Sequence, residues 1–159
     1  MNYAEWLGTV PSEITNDPIW KLEVYRLALF ADDLGWEDVL ELSKEKLMFS
    51  VADQLHRSLG SIGANLTEGY SRSKGLDRAR FFEIALGSAR ESRDWYYKSR
   101  HALPMDVVKH RMALATRIIG MLVPMIAHQR KHAIREEQAE YNTSSQPSDI
   151  IITSTIPFP

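Results

Sequence analysis

The sequence predicts an all-α protein: an antiparallel up-down-up-down four-helix bundle with long helices, a flexible N-terminal arm and a disordered C-terminal tail. Four segments repeat apolar residues every three to four positions, as amphipathic helices do. The connections between them are mostly short, which favours antiparallel neighbours. With 159 residues and 44% hydrophobic content, the chain can bury one core. The predicted divisions are an arm at 1–16, a bundle at 17–136, and a flexible acidic and apolar tail at 137–159.

The N-terminal arm shows no sustained period, so it either packs through Trp6 or stays loose. Helix one is predicted to begin at Asp17-Pro18, because aspartate caps helix N-termini and proline is tolerated at the first helical position. It should end near Gly35, with an acidic connection at 36–42. Its core-facing stripe comprises Trp20, Val24, Leu27, Ala28 and Ala31.

Helix two is predicted from about Ser43 to Gly69, with a coiled-coil-like seam. Gly60 and Gly63 lower helix propensity, so they indicate either close contact with another helix or a local bend. The seam comprises Met48, Ala52, Leu55, Leu59, Ile62, Leu66 and Gly69.

Helices three and four follow the polar loop at 71–75. Asp77 favours the first turn of helix three, and Pro104 begins helix four. Small residues on helix three would let a partner helix approach closely; they are Gly87, Ser88, Ala89 and Ser92. The seam of helix four comprises Val108, Met112, Ala115, Ile119, Leu122 and Ile126, and Pro124 is expected to kink it. The tail from Asn142 is either flexible or able to add a strand to a partner.

Charge is strongly segregated along the chain although the net charge is only -2. Residues 1–50 carry a net charge of -6, residues 51–135 of +8, and residues 136–159 of -4. Such asymmetry indicates either polyanion binding or acidic–basic contacts between subunits.

Composition also narrows the possible functions. There is no cysteine, which excludes disulfides, thiol catalysis and cysteine-ligated zinc. The N-terminus lacks the pattern of a secretory signal, and no uncharged apolar run approaches the roughly 20 residues of a membrane span. We therefore expect a cytoplasmic protein without a membrane partner or a cofactor.

Several residues across helices two and three resemble a known family. They are Ser61-Ile62, Asn65, Glu68-Gly69-Tyr70, Arg80-Phe81, Ala85-Leu86-Gly87-Ser88 and Glu91. The pattern is similar to that of the small bacterial four helix bundle proteins first recognised as products of intervening sequences in 23S ribosomal RNA genes. That family also includes accessory proteins of diversity-generating retroelements. The resemblance covers about residues 17–132.

The resemblance implies a four-helix bundle that assembles with itself into a ring, commonly a pentamer. It supplies no catalytic residues. For the retroelement branch it implies a reverse transcriptase as the partner.

The structural motif of this pattern comprises Asn65, Glu68, Gly69, Gly87 and Ser88. Asn65 and Glu68 lie one helical turn apart. One hypothesis makes them a ligand or RNA contact. The favoured one is a lock between helices, in which Asn65 satisfies a loop backbone group and Glu68 pairs with an arginine.

Basic residues interleaved with aromatic ones form the candidate nucleic-acid surface, since lysine and arginine bind phosphates without regard to sequence. The opposing interpretation is an ordinary solvated helix with intrahelical ion pairs. The candidates are Arg72, Lys74, Arg78, Arg80, Arg90, Arg93, Lys98, Arg100, Lys109 and Arg111.

No arrangement typical of an active site was found. His128, His132 and Glu136 share helical spacing suited to a metal, yet the surrounding bases favour a solvated helix end, so no metal site is predicted. The serines near glycines lie inside predicted helices without the context that nucleophilic catalysis needs.

We therefore expect a non-enzymatic homo-oligomeric scaffold or adaptor that binds RNA or DNA through a basic surface. The alternatives are an accessory subunit of a reverse transcriptase and a purely structural or protein-binding oligomer.

Overall fold

The computed structural model describes residues 2–73 and 75–144, with side chains through Arg135 and at Gln138. Lys74 and the tail beyond residue 144 lie outside the described residues. The α-helices are α1 (Tyr3–Leu7), α2 (Ser12–Thr15), α3 (Glu23–Leu42), α4 (Phe49–Tyr70), α5 (Gly75–Ser99) and α6 (Met105–Ser144). Short 3₁₀ helices occur at Pro18–Lys21 and Lys46–Met48. All regular structure in the described part is helical, which confirms the predicted class.

The four long helices pack in a closed cycle. α4 contacts α3 and α5, and α6 contacts α5 and returns to α3. The turns between successive long helices are short, so neighbours run antiparallel. The predicted four-helix bundle is therefore confirmed.

The core follows the predicted apolar seams closely on α4 and with one shift on α6. Leu55, Ile62 and Leu66 are fully buried in the seam predicted for α4. On α6, Ile118 is fully buried while Ile119 is only partly buried. The predicted seam placed Ile119 in the core, but a straight helix of 3.6 residues per turn drifts from a 3.5-residue repeat.

The N-terminal arm packs against the bundle through Trp6, the first of its two predicted alternatives. Trp6 is 2% exposed and donates its indole N–H to Oδ2 of Asp33. Its ring centroid lies 5.3 Å from that of Phe30 and 6.2 Å from that of Trp20. α1 is thereby held on α3.

The predicted boundaries of helix one are wrong at both ends. Asp17 does cap a helical segment, with Oδ1 accepting from the amide of Ile19 at 2.9 Å, but that segment is the 3₁₀ turn. α3 then continues through the predicted connection to Leu42. Gly35 does not end it, because this glycine lets α4 approach: an added Cβ would lie 2.2 Å from Cδ1 of Leu59.

Other boundaries differ by up to eight residues. α4 begins at Phe49 and α5 at Gly75. α6 is continuous through Pro124 and extends beyond residue 136 to Ser144. Contact at Gly63 is ordinary, since an added Cβ would lie 3.6 Å from Cδ2 of Leu29.

Candidate functional site

Three of the predicted bases share the outer face of α5 with three exposed acids, Asp77, Glu91 and Asp94. Arg80, Arg90 and Lys98 are all exposed. At 1.5 Å per residue, they are separated along the helix by about 15 Å and about 12 Å. None of the three forms an ion pair with an acidic residue in the described part of the chain. We call these three residues the α5 basic strip.

The bases at the α4–α5 corner are partly engaged. Arg72 pairs with Glu68, and its guanidinium lies 4.9 Å from the ring centroid of Phe81. Arg78 donates from Nη2 to the carbonyl of Arg72 at 2.6 Å. Lys74, the remaining predicted base of this corner, lies outside the described residues.

At the other end of α5, cations stack on aromatic rings. Nζ of Lys98 lies 3.7 Å from the ring centroid of Trp95, and Arg100 lies 3.9 Å from that of Tyr97. Tyr97 is 54% exposed, so this end presents an accessible aromatic face beside positive charge. Two further predicted bases are accessible to solvent. Arg93 of α5 is partly exposed and Lys109 of α6 is exposed.

Arg111 does not belong to this surface. Its Nε donates to Oδ2 of Asp38 at 2.7 Å and its Nη2 donates to Oδ1 at 3.3 Å. The Tyr96 hydroxyl also donates to Asp38, at 3.0 Å. Burial first, and then the neighbouring carboxylate, raise the pKa of Tyr96 well above its usual value. Asp38 and Arg111 are 73 residues apart, and no local pattern marks such a pair, so the prediction of Arg111 as a phosphate contact missed it.

The structural motif predicted from the family resemblance matches its expected role only in part. Glu68 pairs with an arginine as predicted, but the partner is Arg72, four residues further along and just after α4, so this ion pair does not itself join two helices. Asn65, however, does not satisfy a loop: its Nδ2 donates to the carbonyl and hydroxyl oxygens of Ser61, at 2.8 and 3.0 Å. That part of the prediction is wrong, because an asparagine within a helix can reach the residue one turn earlier.

The small residues of α4 and α5 serve different purposes. The hydroxyls of Ser61 and Ser88 are 2.8 Å apart and link the two helices. Gly69 permits close packing, since an added Cβ would lie 2.8 Å from the Phe82 ring. Gly87 is exposed and an added Cβ would meet nothing within 4 Å, so its predicted role in close helix packing is wrong within this chain.

A groove between α3 and α4 holds a carboxylate. Asp32 lines it together with Gly60 and Gly63. Burial raises the pKa of Asp32, and the charge of the nearby His56 opposes that rise.

The histidine pair of α6 is in contact. Nε2 of His128 lies 3.1 Å from Nε2 of His132. The side chain of Glu136 is not described. Among the described side chains, no group of three metal-binding residues was found.

The outward face of α6 is unusually apolar. From Met112 to Gln129 the helix carries a single charged residue, Arg117. Over Met105–Arg135 it is long and apolar enough, by length and composition alone, to cross a membrane, and 22% of its apolar window is buried. That criterion by itself does not establish a span. Its exposed small and apolar residues are Ala113, Gly120, Val123, Pro124 and Ala127.

Comparison with known proteins places the chain in a family. Residues 21–124 match the model of the 23S rRNA-intervening sequence protein family. A crystal structure of a protein of unknown function from the S23 ribosomal protein family of Bacteroides thetaiotaomicron is similar in fold, with a TM-score of 0.61 and 24% identity. The alignment covers 65% of this chain and 97% of that one. No curated protein matches. Since the family model spans more than half of its length, the chain belongs to the 23S rRNA-intervening sequence protein family.

Proposed function

We propose that this protein is a non-enzymatic, homo-oligomeric scaffold that binds RNA or DNA through the α5 basic strip. The observation that carries the proposal is that Arg80, Arg90 and Lys98 are exposed on one helix face without a carboxylate partner among the described residues. Lysine and arginine in such positions contribute affinity for any nucleic acid, because each phosphate contact releases condensed counterions. The aromatic face at Tyr97 offers unpaired bases a stacking surface.

Self-association would multiply this surface. We assign the contact with a second copy to the exposed apolar face of α6, since contiguous apolar surfaces mark interaction sites. Several copies of the strip in one ring would bind a single nucleic acid with greater avidity than one copy. A pentamer is the arrangement that the family resemblance implies.

Binding is tested by titrating the full-length protein with structured RNA and duplex DNA across a range of salt concentrations. The variant Arg80→Gln/Arg90→Gln/Lys98→Gln should weaken binding and lower the duplex salt slope by about 2 to 3 per engaged protomer, because each phosphate contact contributes about 0.9. The matched control is Lys21→Gln/Lys46→Gln/Lys131→Gln, which removes three exposed bases that, like the strip, have no ion-pair partner among the described residues. Absence of binding at low salt, or equal weakening by both variants, would overturn the proposal.

Self-association is tested by measuring molar mass with light scattering after gel filtration. Val123→Lys should dissociate the oligomer, because Val123 is 48% exposed on the apolar face of α6. Lys131→Gln, also on an exposed part of α6, is the control. A monomeric wild-type protein would refute the assignment of this face to self-association. So would co-flotation of the protein with lipid vesicles that is lost in Val123→Lys, because the face would then contact lipid.

The second candidate is an oligomer without affinity for nucleic acid, in which charge segregation serves subunit contacts. It is favoured by the acidic first 50 residues, with a net charge of -6, beside the basic middle of the chain. Under this alternative the wild-type protein would show no detectable binding to nucleic acid. The strip variant would have a lower oligomer mass than the wild type. A third candidate, an accessory subunit of a reverse transcriptase, rests on the resemblance alone. Co-purification with a reverse transcriptase encoded beside this gene would test it.

A further inference from the structure

A polar cleft on the outside of the α4–α5 pair has no role in the function proposed above. It is an open depression of about 220 Å³, which gives room for more than one water molecule. Four of its polar residues face each other across the two helices. They are Arg57 and Ser61 of α4, and Ser88 and Glu91 of α5.

The hydrogen bonds around the cleft establish which groups it presents. The hydroxyl of Ser88 donates to the carbonyl of Ile84 at 3.0 Å. The hydroxyl of Ser61 must then donate to Ser88, at 2.8 Å, while it accepts from Nδ2 of Asn65 at 3.0 Å. Since each serine has one hydrogen to donate, both hydrogens are committed, and what remains free on both oxygens is a lone pair. This part of the cleft therefore accepts hydrogen bonds.

The two charges of the cleft have opposite signs and do not neutralise each other. Oε1 of Glu91 accepts from the indole of Trp95 at 3.2 Å, which leaves Oε2 available. Nη1 of Arg57 lies 3.8 Å from Asp53, beyond hydrogen-bonding distance, and its side chain is 68% exposed. No ion pair joins Arg57 to Glu91, and both side chains are described.

We propose that this cleft binds a small zwitterion of the amino-acid class. The ammonium group donates to Glu91 and to the free lone pairs of Ser61 and Ser88, which suits a group that carries only donors. The carboxylate lies against Arg57, whose planar guanidinium matches that anion. A ligand with both charges bridges two side chains that otherwise remain apart.

The test is titration of the ¹⁵N-labelled full-length protein with L-alanine and L-glutamine, followed by amide chemical shifts. Shifts should saturate around residues 57–61 and 88–91. N-acetyl-L-glutamine, which lacks the cation, and L-glutaminamide, which lacks the anion, should bind at least about tenfold more weakly. The variants Glu91→Gln and Arg57→Gln should each weaken the zwitterions by a similar factor. Asp94→Asn on α5 and Arg135→Gln on α6 are matched controls that should not.

Three results would overturn the proposal. One is the absence of saturable shifts with either zwitterion at tens of millimolar. Another is equal binding of the singly charged analogues. The third is a coupling between Arg57→Gln and Glu91→Gln in the unfolding free energy of the ligand-free protein, which would show that the two side chains pair directly. Nucleic-acid binding is measured separately with the strip variant, which changes none of the four cleft residues, so the failure of either proposal is distinguishable from the failure of the other.

Discussion

Arg111→Met removes the cation from the most buried ion pair of the described structure. Arg111 contacts both carboxylate oxygens of Asp38, and their side chains are only 15% and 7% exposed. After the substitution the carboxylate keeps the Tyr96 hydroxyl as its hydrogen-bond donor. Removing one partner of a buried pair costs about 3 to 5 kcal/mol. We expect the lower end, about 3 kcal/mol, because Arg111 retains some contact with water.

The assay is urea unfolding followed by circular dichroism at fixed protomer concentration, since self-association would otherwise contribute to stability. Arg117→Met is the control: it breaks the Arg117–Glu23 pair, whose side chains are 61% and 40% exposed, and should cost less than about 1 kcal/mol. The triple variant Asp38→Leu/Tyr96→Phe/Arg111→Met should recover most of the loss, because an apolar replacement leaves neither a charge nor the Tyr96 hydroxyl unpaired. Equal losses for Arg111→Met and Arg117→Met would refute the inference that the Asp38 pair is buried.

Three further predictions concern Tyr96, two glycines and Asp32. Tyr96 keeps its proton in the folded state, so its contribution to the unfolding free energy is complete below about pH 10 and falls above it by about 1.4 kcal/mol per pH unit. Tyr96→Phe should lack this slope, and parallel pH profiles of the two proteins would contradict the assignment. Gly35→Ala should cost about 1 to 3 kcal/mol by overpacking Leu59, whereas Gly87→Ala should stabilise by roughly 0.5 to 1 kcal/mol, both measured by urea unfolding. Asp32, whose folded-state pKa is raised, opposes folding once deprotonated; Asp32→Asn should therefore raise the melting temperature at pH 7 but not near pH 3, and an equal gain at both would refute this.

The sequence predicted buried residues correctly where the signal is the spacing of apolar residues along a single helix. Leu55, Ile62 and Leu66 were assigned to the core from their spacing alone, and all are buried. It failed at Gly35, which resembles a helix stop in sequence. The structure uses that glycine for the approach of Leu59, a contact between two helices that no local pattern encodes.

For the candidate nucleic-acid surface, the sequence predicted some exposed bases correctly and one incorrectly. Arg80, Arg90 and Lys98 are exposed, as predicted bases should be, on the side of α5 away from its buried residues Phe82, Ala85 and Ala89. Arg111 has the same chemistry and a similar sequence context, yet it is buried against Asp38. Its different environment depends on how α6 is rotated against α3, which composition and spacing do not specify.

The sequence by itself therefore determined the helical class, the buried seam of α4, the family and the segregation of charge. The helical class and the seam depend on the 3.6-residue period of one helix, which places residues three and four apart on a common face. Only the tertiary structure decided that Asp38 meets Arg111, and that Arg57 and Ser61 face Ser88 and Glu91 across one cleft. Such meetings depend on the rotation and register of packed helices, which are set by how all of the side chains fit together at once.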